Sequence, residues 1–449
     1  MLTLNTGLTM GYGFDVLDVK SAYLCAKLDR PVYMRINAKI ATILCRLRPT
    51  WKNFLHTDGS ITALLQKALY GLADSGRQFY LELRKFLVEE VGFQQSKQDK
   101  AVYWRTGVEA GQEWIHLVNT HVDDLLSTGP AAQLAELTAR LKKRFGHIKH
   151  QDSSTGAVTF LNMLLQFSEP GECRISQPDL ISKIIKGGER IEKYPAVKEI
   201  NKIDLLSPKL DDPSIFRSGL MQIQYLDRSR PDIKMVQNVL ATRMQNPSLQ
   251  DMEHLEHLIA YIRGTAHFQL RVAPCESVNP PRKLSEANLQ IWASADASYG
   301  ENPDRRSRTG YVLGVGNMPN APILCKSLVQ VTTAVSSTEA ELNALFEAAK
   351  AGVVARNWML EIGFTQAAVP IEQDNSSAIL IAKTGVTQSK RTKHMDIRMN
   401  YVTERIEDKS IELVKVGTHD MLADYLTKIE HGPKWIEWRK RILNHKTHS

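Results

Sequence analysis

The sequence predicts a multidomain protein of mixed α+β and α/β class. Three observations lead to this prediction: a length of 449 residues, a composition close to the average of globular proteins, and a pattern that changes along the chain. At roughly 100–200 residues per domain, the length indicates two to four domains. Hydrophobic residues make up 43% and charged residues 24% of the chain, which argues against disorder and against a coiled-coil rod.

The pattern divides the chain into five segments. Residues 1–170 mix short apolar runs with helical periodicity, which is typical of an α+β domain. Residues 171–275 have a helical pattern, and residues 276–289 are rich in Pro and polar residues, which indicates a linker. Strands and helices alternate again over residues 290–430, and residues 431–449 are expected to form a basic C-terminal tail.

The composition also excludes several classes of protein. The five cysteines are Cys25, Cys45, Cys173, Cys275 and Cys325. Their odd number and scattered spacing argue against a disulfide framework or a zinc ribbon and favour a reducing compartment. No run of about 18 apolar residues and no secretory signal is present, so we expect a cytoplasmic or nuclear protein without a membrane partner. The formal charge of +8 is by itself a weak sign of nucleic-acid binding.

Asp123 and Asp124 form the most unusual local feature, because they interrupt the otherwise apolar run WIHLVNTHVDDLLSTG. Alternating apolar residues on both sides predict two strands joined by a tight turn that carries both acids. Adjacent carboxylates repel each other, and a hard divalent ion such as Mg²⁺ would remove that repulsion. The alternative for an isolated acidic pair is a solvated Asx turn.

A third acid, Asp18, ends the apolar stretch of FDVLDVKSAYL and is followed five residues later by Tyr23. The runs DVKSAYL, KALYGLADSGRQFY and LVNTHVDDLL, in that order, resemble the palm of the reverse transcriptases of copia-type retrotransposons. The stretch YLDRSRPDIKMVQNVL and the later YIRGT resemble the segment that follows the palm in the same elements. The resemblance implies an RNA-directed DNA polymerase region of a Pol polyprotein, with helical thumb or connection elements after the palm.

The family's chemistry assigns roles to these residues. In such polymerases, carboxylates from separate strands bind two Mg²⁺ (or Mn²⁺) ions, which activate the primer 3′-hydroxyl and stabilise the leaving pyrophosphate. The resemblance implies Asp18, Asp123 and Asp124 as these ligands. Tyr23 matches the aromatic that favours deoxynucleotides, unless it is a core residue, and Arg77 matches a phosphate contact, unless it forms a surface ion pair. The implied partners are an RNA template, a DNA primer and deoxynucleoside triphosphates.

Some positions depart from the family pattern. His121 stands where a Tyr is usual, and Asp74 adds a negative charge where phosphates are expected. Residues 1–17 contain neither Lys nor Arg, whereas the family's fingers, which lie upstream of the first catalytic acid, bind the triphosphate with basic side chains. We therefore expect a truncated palm whose polymerase activity is impaired.

A second set of acids lies in the C-terminal region. Asp296 follows a short strand in IWASADASYG, and Asp374 follows another in VPIEQDNSSAILIAK. The pattern Ser336-x-x-Glu339 predicts a capping box, so that Glu339 lies in the first turn of an amphipathic helix. Asp424 is expected early in a last helix. Glu339 and Asp424 could also serve only as helix caps.

The runs SADASY, SSTEAEL, DNSSAI, RTKHMDIR and ADYLTK resemble the ribonuclease H domain of copia-type elements. The implied fold is a mixed sheet with flanking helices. The resemblance implies that Asp296, Glu339, Asp374 and Asp424 hold two Mg²⁺ (or Mn²⁺) ions. These ions would activate water against the RNA strand of an RNA–DNA hybrid.

Neighbouring histidines and basic residues are candidates for supporting roles. His394 and His419 match positions suited to proton transfer or product release, although a lone histidine is more often a structural donor. Lys390, Arg391 and Lys393 are candidates for contacts with the phosphates of the hybrid, or they form a solvated charge run.

Four hypotheses for function follow. The leading one is a reverse transcriptase and ribonuclease H fragment of a copia-type Pol polyprotein, a family whose proteins assemble in virus-like particles. The second is a non-catalytic relic that binds nucleic acid, and the third is a nuclease whose palm serves only as a scaffold. The fourth is an unrelated soluble α/β enzyme.

Overall fold

The structure is a computed structural model that describes residues 1–168, 171–275, 281–316, 320, 322–385 and 393–445. Within these residues the chain forms four sheets, which contain six, two, four and five strands. Among the same residues, no helix is both long enough and apolar enough to cross a membrane. Mixed α and β structure in several sheets agrees with the predicted fold class.

The first part of the chain alternates strands and helices. In chain order its elements are α1 (Leu2–Thr9), β1 (Gly13–Val19), β2 (Lys27–Ile36), α2 (Ala38–Leu47), β3 (Ile61–Lys67), α3 (Ser75–Lys85), β4 (Gln94–Gln95), β5 (Val102–Glu109), β6 (Gln112–His121), β7 (Asp124–Gly129), α4 (Ala131–Phe145), β8 (Ile148–Asp152), β9 (Ala157–Phe160) and β10 (Met163–Ser168).

The second part contains a group of helices, followed by the strands and helices of a C-terminal sheet. Its elements are β11 (Glu172–Ser176), α5 (Pro178–Ile184), α6 (Pro213–Leu226), α7 (Lys234–Ala241), α8 (Leu249–Gly264), β12 (Leu270–Val272), β13 (Ile291–Ser298), β14 (Arg308–Val315), β15 (Leu324–Val329), α9 (Ser337–Glu361), β16 (Val369–Gln373), α10 (Ser376–Thr384), α11 (Lys393–Glu407), β17 (Ile411–Lys415) and α12 (Pro433–Leu443).

The six-stranded sheet, called here the first sheet, is antiparallel and has the order β4-β5-β6-β7-β1-β8. Helix α4 covers it with apolar residues at spacings of three and four, which place them on one helical face: Leu134, Leu137, Leu141 and Phe145. Helix α3 adds Phe79 and Leu83 to the same core. Strands β2 and β3 form a separate two-stranded sheet with a small core of its own.

The five-stranded sheet, called here the C-terminal sheet, has the order β15-β14-β13-β16-β17 and is mixed. Strands β13, β14 and β15 pair antiparallel, whereas β16 pairs parallel with both β13 and β17. All eight residues of β13 are buried, because α9 covers one face of the sheet and α7 and α12 lie against the other. The resemblance implied a mixed sheet with flanking helices, and the structure contains one.

The two halves of the chain share a hydrophobic core. Met10, Ile115 and Leu117 from the first part pack in the same cluster as Trp358 and other residues of α9. Hydrogen bonds reinforce this junction, because the Glu361 carboxylate accepts from the Ser96 hydroxyl at 2.7 Å and from the backbone N–H of Lys97 at 2.6 Å.

Three of the expected segments contain structure that was not predicted from the sequence. The stretch 171–275 is not purely helical, since β11 and β12 belong to a four-stranded sheet with the order β12-β11-β10-β9. Within the expected linker 276–289, residues 276–280 lie outside the described residues, but Leu284, Ala287 and Leu289 are buried in the shared core. The expected tail 431–449 contains α12. Its apolar side packs with buried residues of α6, α7 and α8 in a second hydrophobic core, called here the helical core. Both the linker and the tail are rich in polar residues, so their few apolar residues did not predict burial.

We expect Trp438→Ala in α12 to lower the free energy of unfolding by about 3–5 kcal/mol, because this side chain is 1% exposed in the helical core. Urea unfolding followed by circular dichroism measures the change. Glu437→Ala on the exposed side of the same helix is the control and should change the free energy by about 0.5 kcal/mol or less. Equally small effects of both substitutions would contradict the packing of α12.

Candidate metal centres

The first acidic group lies on the hairpin formed by β6 and β7. His121 pairs with Asp124 at the end of the hairpin, and Val122 and Asp123 form its two-residue turn. This confirms the predicted pair of strands and the tight turn, but only Asp123 of the two acids lies in the turn, because Asp124 is the first residue of β7. Val122 has a φ of 58°, a left-handed conformation that is costly for a β-branched residue. Strained backbone of this kind persists where the surrounding structure enforces it, and it often marks functional sites.

Strand β1 brings the third acid of this group to the hairpin. Asp18 is the register partner of Asp124, and the backbone N–H of Val19 donates to the Asp123 carbonyl at 3.0 Å. Burial, followed by the charges of Asp123 and Asp18, raises the pKa of Asp124. The structure therefore brings the three predicted carboxylates to the same end of the first sheet.

Two tyrosines flank this group. The ring of Tyr23 lies 4.5 Å from that of Tyr70 and is half-buried, so it is not a deep core residue. Partial desolvation, followed by the charge of Asp123, raises the pKa of Tyr70. Tyr70 was missed in the sequence, although it precedes Gly71, whose φ of 100° marks a turn there.

Arg77 and Asp74 have partners in the structure. Arg77 Nη1 lies 3.5 Å from Asp29 Oδ2, with both side chains more than half exposed, which is the surface ion pair that was the alternative to phosphate contact. Asp74 pairs with Arg30, so the negative charge that was expected to repel phosphates is partly compensated. Exposed pairs of this kind are weak, with typical values of about 0–1 kcal/mol, and leave both arginines free to rearrange.

The second acidic group is more compact. Oxygen atoms of Asp296, Glu341 and Asp374 all lie within 4.8 Å of one another. Asp296 lies on the central strand β13, Glu341 in the second turn of α9, and Asp374 directly after β16. Strands β13 and β16 are parallel neighbours, and α9 crosses them, so the topology alone converges these three positions. Asp296 is 1% exposed and Glu341 is 7% exposed.

Glu339, which was predicted as the helical ligand, is replaced in this group by Glu341. The Ser336 hydroxyl caps α9 by accepting from the N–H of Glu339, as predicted, but the Glu339 carboxylate accepts from the N–H of Val335 at 2.7 Å. Glu339 thus serves the helix N-terminus. Two residues correspond to about 200° of rotation around a helix, so Glu341 points away from Glu339 and toward Asp296.

Lys428 links Asp424 to this group, and a second lysine pairs with Asp424. It lies in a short 3-10 helix, Leu422–Leu426, rather than in the expected α-helix. Lys428 Nζ lies 2.7 Å from Asp424 Oδ1 and 3.6 Å from Asp296 Oδ1, and Lys434 Nζ lies 3.6 Å from Asp424 Oδ2. Among the described residues, Asp424 Oδ2 is buried without a hydrogen-bond partner. Neither lysine was predicted as part of the site.

The pKa values of two acids of the second group are shifted far from their usual range. Burial raises the pKa of Asp296 from 3.8 to about 7, although the charge of Lys428 opposes the increase. Burial, followed by the charges of Asp296 and Asp374, raises the pKa of Glu341 from 4.5 to about 9. Burial lowers the pKa of Lys428, but Asp296 and Asp424 outweigh this effect and raise it overall. Positive charge therefore stabilises this site.

Neutral donors hold the carboxylates in place. Gln373 Nε2 donates to Glu341 at 3.2 Å, the Thr418 hydroxyl donates to Asp374 at 3.0 Å, and the Thr427 hydroxyl donates to Asp296. His419 is exposed and follows Thr418 in the chain. Its role in proton transfer stays a prediction.

The other basic candidates are placed only in part. Lys390 and Arg391 lie outside the described residues. Lys393 and His394 begin helix α11, and their proposed roles stay predictions. His121 is exposed beside the first acidic group.

The donor atoms of the second group fit a hard divalent ion. All are carboxylate oxygens, which Mg²⁺ and Mn²⁺ accept readily. A divalent ion would also supply positive charge to the two carboxyl groups whose pKa values burial raises, and it would bind Asp424 Oδ2, which has no hydrogen-bond partner among the described residues.

Comparison with known proteins finds a matching family model and several similar polyproteins. Residues 2–202 match the family described as reverse transcriptase (RNA-dependent DNA polymerase). The chain is 27% identical to the retrovirus-related Pol polyprotein from transposon RE1 of Arabidopsis thaliana, over 95% of this chain and 27% of that protein. It is 24% identical to the corresponding polyprotein from transposon TNT 1-94 of Nicotiana tabacum, over 96% of this chain and 31% of that protein.

Solved structures show a weaker likeness. A foamy viral protease-reverse transcriptase in complex with RNA/DNA hybrid aligns with 93% of this chain and 45% of its own, at 12% identity and a TM-score of 0.48. The sequence matches confirm the predicted resemblance: the chain is similar to the retrovirus-related Pol polyproteins of copia-type retrotransposons. It spans about a quarter to a third of the length of these two relatives.

The raised pKa values predict a pH dependence of stability in the presence of EDTA. Between about pH 4 and pH 9 the folded protein binds more protons at Asp296 and Glu341 than the unfolded chain does. The free energy of unfolding should therefore decrease as pH rises through this window. Urea unfolding at pH 5, 7 and 9 measures the slope.

The double variant Asp296→Asn, Glu341→Gln should flatten this slope, because neither group then titrates. Glu339→Gln is the matched control and should keep the slope of the unmodified protein, since no shift at Asp296 or Glu341 is attributed to Glu339. A slope that survives the double variant would contradict the assignment.

Proposed function

We propose that the C-terminal part of this protein is a ribonuclease H that cleaves the RNA strand of an RNA–DNA hybrid. The observation that carries the proposal is the convergence of Asp296, Glu341 and Asp374 within 4.8 Å, next to the buried Asp424. Four acids at such a site are stable together only with compensating cations. The relationship to retrotransposon Pol polyproteins supports nucleic acid as the substrate.

The proposed cofactors are two Mg²⁺ or Mn²⁺ ions. Asp296, Glu341 and Asp374 would hold one ion, and Asp296 with Asp424 would hold the other. When bound, the ions supply an activated water and neutralise charge that develops on the phosphate. Gln373 and Thr427 orient the carboxylates beforehand, which limits the reorganisation needed during the reaction.

We expect Asp296→Asn and Glu341→Gln each to reduce cleavage of a labelled RNA–DNA hybrid in Mg²⁺ by about 10²-fold or more, because each removes a charged ligand of the cluster. Denaturing gel electrophoresis of the products measures the rate. Glu339→Gln is the matched control, two residues away in the same helix, and should retain most of the activity. Absence of cleavage by the unmodified protein, or equal loss in Glu339→Gln, would overturn the assignment.

We also propose that the first part of the chain is the palm of an RNA-directed DNA polymerase. Support comes from the family match over residues 2–202 and from Asp18, Asp123 and Asp124 at one end of the first sheet. In this role the three acids hold two divalent ions, and the ligands are an RNA template, a DNA primer and deoxynucleoside triphosphates. Tyr23, in contact with the tilted ring of Tyr70, would limit the space beside the nucleotide sugar.

Primer extension on an RNA template tests the polymerase proposal. We expect Asp124→Asn to reduce extension by about 10²-fold or more, because it removes a metal-binding charge. Glu109→Gln is the control, since Glu109 is exposed at the opposite end of the β5–β6 hairpin. If extension is absent while hybrid is cleaved, the nuclease is the only active part of this chain.

A further inference from the structure

Lys428 occupies the gap between two acids of the second group. Its Nζ lies 2.7 Å from Asp424 Oδ1 and 3.6 Å from Asp296 Oδ1. Both carboxylates are at most 1% exposed, whereas the Lys428 side chain is 32% exposed. The ammonium is therefore held at the solvent-facing side of a buried negative gap.

Lys428 also lines a small cavity together with Met235 of α7 and Trp435 of α12. Lys434, on the first turn of α12, approaches the other oxygen of Asp424 at 3.6 Å. Asp424 is thus approached by an ammonium at each carboxylate oxygen.

An ammonium and a divalent ion cannot share this gap. A Mg²⁺ ion needs its oxygen ligands at about 2.0–2.1 Å and would repel an ammonium held in the same space. Among the described residues, no lysine forms an ion pair with Glu341 or Asp374, whereas Asp296 pairs with Lys428. The two halves of the cluster differ in their access to metal.

We propose that Lys428 is a tethered cation that competes with a divalent ion for the gap between Asp296 and Asp424. The inference rests on the proposed nuclease function and specifies its regulation by metal. The group of Asp296, Glu341 and Asp374 binds one ion tightly, and a second ion binds more weakly because it must displace the Lys428 ammonium. Lys428 is a positioning residue, and its effect is on metal occupancy.

Titration of the full chain with Mn²⁺, followed by electron paramagnetic resonance of free Mn²⁺, tests the proposal without nucleic acid. The unmodified protein should bind one ion tightly and a second at least about tenfold more weakly. Lys428→Met should bind two ions with affinities within about threefold of each other. Lys428→Gln, which keeps a polar end, gives an independent measurement in case the Met variant does not fold.

Two controls separate competition from a general loss of charge. Lys428→Arg keeps the positive charge and should keep the unequal affinities. Lys383→Met removes an exposed lysine in the last turn of α10 and should leave both affinities unchanged. Unchanged affinities in both Lys428→Met and Lys428→Gln would overturn the proposal.

The outcomes also separate this inference from the proposed nuclease. Two equally bound ions in the unmodified protein, together with hybrid cleavage, would overturn the role of Lys428 and leave the nuclease in place. No Mn²⁺ binding and no cleavage would overturn the nuclease and this inference with it.

Discussion

The burial of several carboxylates at one site is the constraint on which the C-terminal half of this protein depends. Asp296 and Glu341 are almost fully buried, and this burial raises the pKa of both groups above the usual range, with a further increase from the charge of Asp374. Such a group is stable only if protons, an ammonium or metal ions supply positive charge. In this structure Lys428 supplies part of that charge. Because the group requires positive charge, it is also suitable for binding divalent ions.

The tertiary packing holds the elements that carry this acidic group next to one another. The C-terminal sheet is covered on one face by α9, which carries Glu341, and on the other by elements that carry Lys428 and Lys434. The first sheet is joined to it through a shared core and through Glu361. Removing residues 1–280 to isolate the nuclease would therefore expose apolar surface of α9, so point substitutions separate the two activities more cleanly than deletion does.

The two acidic groups differed in how far the sequence could predict them. The hairpin with Asp123 and Asp124 follows from local alternation and a tight turn, and the structure contains it. The helix near residue 339 was also predicted. The acid of this helix that lies beside Asp296 is Glu341, however, and not the expected Glu339. The pattern Ser336-x-x-Glu339 is a strong capping signal, and capping uses that carboxylate at the helix N-terminus. Choosing Glu341 required knowledge of which helical face meets β13. The pairing of Asp74 with Arg30 links positions 44 residues apart and has no local signal.

The sequence by itself determined the resemblance to retrotransposon Pol polyproteins, the mixed class of fold, the strands and helices around each acidic group, and the positions of Asp18, Asp296 and Asp374 near the ends of strands. These features depend on local periodicity, turns and caps, which neighbouring residues specify. Only the tertiary structure decided that Glu341 joins Asp296, that α12 packs into the core, and that Lys428 lies between two buried acids. Each of these depends on the direction of a side chain toward a distant element, and that direction is set by packing between strands and helices far apart in the chain.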